Sequence, residues 1–421
     1  MQPIFYRNRM IQRLLGCFTL LLLVVTHALW GSPPTVDNPQ IPWFAWGIDA
    51  PFGVDICSVF LLSTASLGLC LFSMRNRTTR AFFLIYTISF SILILLDQHR
   101  LQPWVLQFLL MTIVLGLSKH HLGMKCCRWI VLTIYFYSAL SKLDTSFYES
   151  HGQLLLDGLL KAVHIDGSFW SDNFRNLLAM LFPLGELLIV SLLLFRRTCR
   201  CGVVFSWVMH SAIILAVGPL GLNHEFGVLL WNVYFILQNY ILFWAHQDKR
   251  EEEATLPPSR IQIGNRLAVS LTILFAVLPV LENWGWYDHW PAWAVYSSRS
   301  ESVVILVDQE AAEEFPNFLK ELCGRPILFE EKVPVSLDRW SFEKRNCPIY
   351  PQMRYRLALA KALIQEWTSE DEIEFKIESK PQRWTGERET ITLVGWSELE
   401  RYLSATFYLN TKARRVSADE R

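Results

Sequence analysis

Two short polar stretches stand out in a chain that is otherwise 52% hydrophobic. The first is Leu95–Trp104, LLDQHRLQPW, which separates the apolar run Ala81–Leu96 from the next, Pro103–Ser118. Asp97, Gln98, His99, Arg100 and Gln102 put an acid, an imidazole, a guanidinium and two amides within six residues. Such a set suits a ligand site, with Asp97 moving a proton and His99, Arg100, Gln102 and Trp104 holding the substrate. It equally suits an interfacial cap. Asp97 and Arg100 then form an i,i+3 pair, Pro103 opens the next helix, and Trp104 sits in the headgroup belt. Charge is seldom left idle at a membrane, and both readings stand on these residues.

The second stretch is Tyr135–Asp144, YFYSALSKLD. Tyr135, Ser138 and Lys142 are spaced i, i+3, i+7 and share one helix face. Lys142 either snorkels to the interface from the end of its helix, or faces the bundle, desolvated, as a base. Further along, His210 falls near the middle of an apolar run with Ser206 one turn before it. Histidine at that depth usually points into a bundle; a neutral structural role and a catalytic one are both open. Asn232 and Asn239 share a face in the following run and need partners on other helices, which structural bonding alone explains.

The elements that must position these groups are apolar helices. Candidate spans are Leu14–Trp30, Asp55–Met74, Ala81–Leu96, Pro103–Ser118, Trp129–Leu143, Asn176–Phe195, Gly202–Gly218, Phe226–Ala245 and Leu267–Leu281. After about residue 295 charge becomes dense. The expectation is a polytopic α-helical membrane protein of about nine transmembrane helices (1–295), followed by a soluble α+β domain (296–421). Cations collect in alternate loops: Arg7, Arg9 and Arg13; Arg75, Arg77 and Arg80; Lys119, Lys125 and Arg128; Arg196, Arg197 and Arg200; Lys249, Arg250, Arg260 and Arg266. The other loops hold only Arg100, Lys142, Lys161 and Arg175. This positive-inside bias predicts a cytoplasmic N-terminus and, with nine spans, a C-terminal domain on the outer, periplasmic or lumenal, side. No small-residue cleavage site follows the first span, so it reads as a retained helix.

Four connecting segments carry their own signals. Gly31–Val54 is proline-rich with Trp43, Phe44 and Trp46, and reads as a loop anchored at the outer interface, where it could also wall a site. Gln153–Val163 is apolar but too short to span; it reads as an interfacial helix, either a lid over Lys142 or a membrane-resting element. His246–Arg266 is a solvated inner linker. Asn283–Ser298, NWGWYDHWPAWAVYSS, is an aromatic girdle where the chain leaves the bilayer.

In the last third, Val303–Val307, Glu372–Glu378 and Thr390–Val394 read as strands, and Glu310–Leu322 and Pro351–Trp367 as helices. Basic and acidic residues balance at 39 each, which gives no sign of a nucleic-acid partner. Cys126, Cys127, Cys199 and Cys201 flank inner loops in Cys-Cys and Cys-x-Cys spacings unlike a zinc site, so no metal is expected. Cys323 and Cys347 have the option of pairing in an oxidising compartment. P-loop, GxSxG and HExxH patterns are absent from the sequence.

LLDQHRLQPW, YFYSALSKLD, the segment MHSAIILAVGPLGLNHE with VLLWN, and the exit WYDHWPAWAVYS together resemble the HTTM family. These are the horizontally transferred transmembrane domain proteins, which include the vitamin K-dependent gamma-carboxylase. The resemblance covers about residues 8–295. It implies that Lys142, in Lys142-Leu143-Asp144, matches the carboxylase lysine taken as the base that activates vitamin K hydroquinone at the lumenal face. Where the carboxylase has Trp-Asn-Asn-His, this chain has Leu101-Gln102-Pro103-Trp104.

Two functional expectations follow. One is a membrane enzyme acting on a lipid-soluble, quinone-like (vitamin K-like) substrate, with Lys142, His210 and Asp97 in chemistry and His99, Arg100, Gln102, Trp104, Tyr135 and Asn232 in binding. The other is a non-catalytic membrane scaffold whose outer domain binds a protein partner. A transporter has less support, since neither an internal repeat nor an interrupted pair of spans is visible.

Overall fold

The structure is a computed structural model that describes residues 2–72, 77–118, 120–244, 263–327 and 330–415. Arg75, Lys119, Lys249, Arg250 and Arg260, and most of the linker His246–Arg266, lie outside these residues.

The expected apolar runs fall for most of their length on the helices Gln2–Val25, Gly53–Leu71, Arg77–Leu96, Pro103–Leu117, His120–Lys142, Asp172–Leu194, Cys199–Val217, Phe226–Phe243 and Ile263–Val277. The first, Leu14–Trp30, is not one helix: it breaks at Thr26 and resumes as the short helix His27–Gly31, and the last, Leu267–Leu281, passes into a 3-10 segment, Leu278–Trp284. Among the described residues, seven helices are long and apolar enough to cross a membrane. Pro103–Leu117 is apolar but has only 15 residues. His120–Lys142 has 23 residues, but its first turns carry the polar run HHLGMK.

The chain divides into two compact units. The first comprises Met1–Val24, Leu61–Ile88 and Pro103–Ser298. It is a helical bundle in which His120–Lys142 packs on Asp172–Leu194, Pro103–Leu117 and Ile263–Val277, and Cys199–Val217 packs on Asp172–Leu194 and Phe226–Phe243. Aromatic contacts tie the helices together. Tyr234 meets Phe18 edge-on at 5.4 Å and Phe108 at 4.4 Å between centroids. The short helix His151–Ala162 lies against both Asp172–Leu194 and Cys199–Val217. Gly158 permits that approach, since a Cβ there would stand 2.4 Å from the Ala216 carbonyl oxygen.

The second unit comprises Val25–Phe60, Ser89–Gln102 and Arg299–Arg421. A unit boundary falls near residue 295, between Ser298 and Arg299, yet this unit also takes in the proline-rich segment and the LLDQHRLQPW turn as far as Gln102. Its sheet has four antiparallel strands in the order β2-β1-β3-β4: β1 Ser302–Asp308, β2 Lys332–Val335, β3 Ile373–Glu378 and β4 Thr390–Val394. Strict alternation in β3 buries Ile373, Phe375 and Ile377 and leaves Glu374, Lys376 and Glu378 on the other face. The buried set faces Val307, Ile305 and Val303 of β1 in register.

Three expected strands are present. The helix expected over Glu310–Leu322 is two short ones, Gln309–Glu313 and Asn317–Lys320, broken at Pro316. Strand β2 and the helix Gly395–Thr406 were not expected. The helix starts directly from β4 because Gly395 adopts φ 79°, and a Cβ there would meet the Glu370 carboxylate at 2.4 Å.

The LLDQHRLQPW turn is the polar core of this unit. Asp97 ends the helix Arg77–Leu96 and caps a 3-10 turn, Gln98–Arg100, by accepting from the His99 N–H. Asp97, Gln98, His99 and Arg100 are all completely buried. Arg100 does not form the i,i+3 pair with Asp97 that an interfacial cap implies. It binds Asp55 and the Leu29 carbonyl (3.1 Å), while the guanidinium of Arg345 stands 3.6 Å from Asp97. Asp55 also receives Arg414 at 2.9 Å. Gln98 donates to the Pro42 and Asn410 carbonyls and accepts from Arg354, and Arg354 lies over the Trp43 ring at 4.8 Å. Trp43 is therefore part of this packing, whereas Phe44 and Trp46 stay exposed and stacked. Cys323 and Cys347 are free thiols.

His99 donates from Nε2 to the Pro348 carbonyl at 2.9 Å. Burial, reinforced by the positive charge of Arg345, pushes its pKa down to about 3. The unfolded chain takes up this proton near pH 6.5 and the folded chain does not. The stability tied to neutral His99 is therefore complete above pH 6.5 and is lost as pH falls from there toward 3. We expect His99→Gln to remove several kcal/mol of this acid sensitivity. Denaturation midpoints of both proteins from pH 7 to pH 4 test it, and parallel curves would show that His99 does not titrate on unfolding.

Candidate functional site

The helical unit contains a cleft with ≈ 690 Å³ of space not filled by atoms, its open mouth included. Tyr135, Ser138 and Lys142 line it together, as their i, i+3, i+7 spacing requires. Lys142 is 4% exposed. It faces the bundle and does not snorkel. The reason is an acid opposite it: its ammonium donates to Glu186 at 3.0 and 3.2 Å, and to the Ser138 carbonyl and hydroxyl. The Ser138 hydroxyl in turn donates to Glu186 at 3.1 Å. The result is a closed triangle of ammonium, carboxylate and hydroxyl. Asp144, two residues beyond Lys142, has a different task. It caps the helix Thr145–Glu149 by accepting from the Phe147 N–H at 2.7 Å.

On another wall, hydrogen bonding fixes the tautomer of His210. Asn232 donates its amide N–H to the Val228 carbonyl, so its oxygen faces His210 Nδ1 at 2.7 Å and must accept. Nδ1 therefore carries the proton, and Nε2 accepts from the Tyr135 hydroxyl at 2.6 Å. Asn239 donates to the same hydroxyl and to Ser206. This chain, Asn239 to Tyr135 to His210 to Asn232, crosses three helices, so the shared face of Asn232 and Asn239 meets other helices as the sequence leads one to expect. Apolar and aromatic groups fill the rest of the lining, among them Leu155, Phe182, Ile213, Trp231 and Phe235. Leu155 comes from the short helix His151–Ala162, which thus forms part of the wall beside Lys142.

Of the residues expected to act together, Lys142, His210, Tyr135 and Asn232 share this cleft. Asp97, His99, Arg100 and Gln102 are not among its lining residues; they belong to the second unit and bond there. Gln102 donates to the His99 carbonyl at 2.9 Å and lies 3.8 Å from the Cys347 thiol. Trp104 is buried edge-on against Phe108 in the helical unit and does not line the cleft either. Set against family models, curated proteins and solved structures, the chain matches none of them.

Among the cleft residues outside the set expected from the sequence, Glu186 and Tyr296 are the two that could ionise. Glu186 has a plain signal: after the first turn it is the lone acid in the helix Asp172–Leu194, and an ionised group inside an apolar run demands a partner. Tyr296 has none, since it is one aromatic among many in the exit segment. Its backbone adopts φ 56°, and Trp293 before it φ 63°. Bulky residues rarely take this left-handed conformation. Burial pushes the Tyr296 hydroxyl pKa up, so the group keeps its proton.

Proposed function

We propose that the chain is a multi-pass membrane protein of HTTM type whose cleft binds, and acts on, a lipid-soluble, quinone-like substrate. The N-terminus is then cytoplasmic and the C-terminal domain faces outward, as the loop charges suggest. The observation that carries the reading is the cleft itself. An ion pair and a bonded tyrosine–histidine–asparagine chain lie inside an otherwise apolar lining, which is the composition of a small-molecule site. Phe182, Trp231 and Phe235 supply faces for a flat ring. Lys142, paired with Glu186, serves as an electrostatic anchor. Glu186 is the proton acceptor: a substrate O–H gives its proton to the carboxylate, the electron pair stays on the substrate oxygen, and the Lys142 ammonium stabilises that oxygen.

The non-catalytic reading draws on a different observation. The His210 and Lys142 networks are bonded within the protein, as helix-bundle glue would be. Binding of 2,3-dimethyl-1,4-naphthoquinone to purified protein in detergent separates the two. The expected result is saturable binding by the wild type that is lost in Lys142→Met/Glu186→Leu, a pair designed to keep the fold. If the wild type does not bind, the scaffold reading replaces the enzyme.

A further inference from the structure

Nearly every polar side chain in the cleft is already committed. Lys142, Ser138 and Glu186 bond to one another, Tyr135 donates to His210, His210 to Asn232, and Trp231 donates to Gln107 at 2.7 Å. Tyr296 is different. It lines the cleft, and its enclosed hydroxyl has no hydrogen-bond partner among the described residues. Leaving such a group unpaired is costly. Its position is nonetheless fixed. Ser297 donates to the Ser141 carbonyl at 2.7 Å, which anchors the segment to the end of the helix carrying Lys142. The left-handed backbone at Tyr296 is thus held in place by its neighbour, with an unused donor at the cleft.

We propose that Tyr296 is the recognition residue of the cleft, its O–H donating to a carbonyl or ether oxygen on a neutral, flat, mostly apolar ligand. Neutrality follows from the lining: the charges of Lys142 and Glu186 cancel, so an ionic ligand would lose its hydration without a net countercharge. The proposal rests on the cleft being a site for an apolar small molecule, and adds the atom by which that molecule is recognised.

The test compares wild type, Tyr296→Phe and Ile213→Trp, the last to fill the cleft. Two probes are used: 2,3-dimethyl-1,4-naphthoquinone, which has carbonyls, and 2,3-dimethylnaphthalene, which has the same shape without an acceptor. In Tyr296→Phe the naphthoquinone is expected to bind about tenfold more weakly, the loss of one good hydrogen bond, while hydrocarbon binding is unchanged. Ile213→Trp should abolish both. Equal naphthoquinone affinity in wild type and Tyr296→Phe overturns the role of Tyr296 and leaves the cleft as a ligand site. Equal weakening of both probes also overturns it, since the hydroxyl would then act on shape. Binding of neither probe by the wild type overturns the ligand site as well. Melting of the unliganded proteins is a second check. Removing an unpartnered hydroxyl should leave Tm unchanged or raised, and a lowered Tm would show that the hydroxyl has a partner inside the protein.

Discussion

Replacing Lys142 by Ala is expected to cost about 3–5 kcal/mol of stability, because it strands the Glu186 carboxylate without its countercharge. The two side chains are 4% and 9% exposed, so water offers little compensation. Ser138 alone remains to donate to the acid. The double replacement Lys142→Met/Glu186→Leu removes both charges and fills similar volume. It should be close to wild type or more stable by about 1–4 kcal/mol, since neither ion then has to be desolvated. Unfolding of the purified protein in mixed micelles, with each single variant and the double, measures the coupling. A Lys142→Ala protein as stable as wild type would mean that the pair is open to water, and the cleft would lose its dry, charged wall. The same series separates stability from binding, because the double variant is expected to fold and yet to bind no quinone.

The second large effect lies in the other unit. Asp55→Ala is expected to cost at least as much, about 3–5 kcal/mol, because two guanidiniums depend on this one carboxylate. Arg100, Arg414 and Asp55 all have completely buried side chains. Arg414→Ala should cost less, about 1–3 kcal/mol, since Asp55 keeps Arg100. Ending the chain after Leu409 removes Arg414 together with Asn410, which donates to the Pro42 carbonyl and accepts from Gln98 through its own backbone oxygen. Truncation should therefore exceed Arg414→Ala. Expression level and denaturation midpoint give the ranking. If Asp55→Ala were no worse than Arg414→Ala, Asp55 would not be the shared anion of this core.

Local pattern made much of the architecture legible. A helix long enough to bury its backbone bonds in an apolar medium announces itself as a run of apolar residues, and the expected runs are helical over most of their length, the first being broken at Thr26. Alternation did the same for β3. β2 escaped notice because four residues, one of them Pro334, carry too short a pattern. The break at Pro316 lies inside a stretch whose periodicity alone suggests one helix.

The sites divide differently. Helix geometry puts Tyr135, Ser138 and Lys142 on one face, and the sequence is sufficient for that. Whether Lys142 reaches water or the bundle depends on Glu186, 44 residues away, and only packing brings the acid opposite it. LLDQHRLQPW is conspicuous as sequence, but its partners decide its meaning. Arg345, Arg354 and Arg414 come from the far end of the chain, with Arg354 256 residues from Gln98. They turn a cluster that reads as a membrane-surface cap or a ligand site into the buried polar core of the second unit.

The sequence by itself determined which segments are apolar helices, which residues share a helix face, and that charge collects in the last third of the chain. These depend on neighbours within a few turns. The tertiary structure decided which charges pair, which tautomer His210 adopts, that Tyr296 meets the cleft with a hydroxyl unpaired among the described residues, and that Asp97, His99, Arg100 and Gln102 bond within the second unit. The physical reason is the range of the interactions. An ion pair or hydrogen bond between distant segments leaves no periodic trace in sequence, and its partner is chosen only when the helices pack.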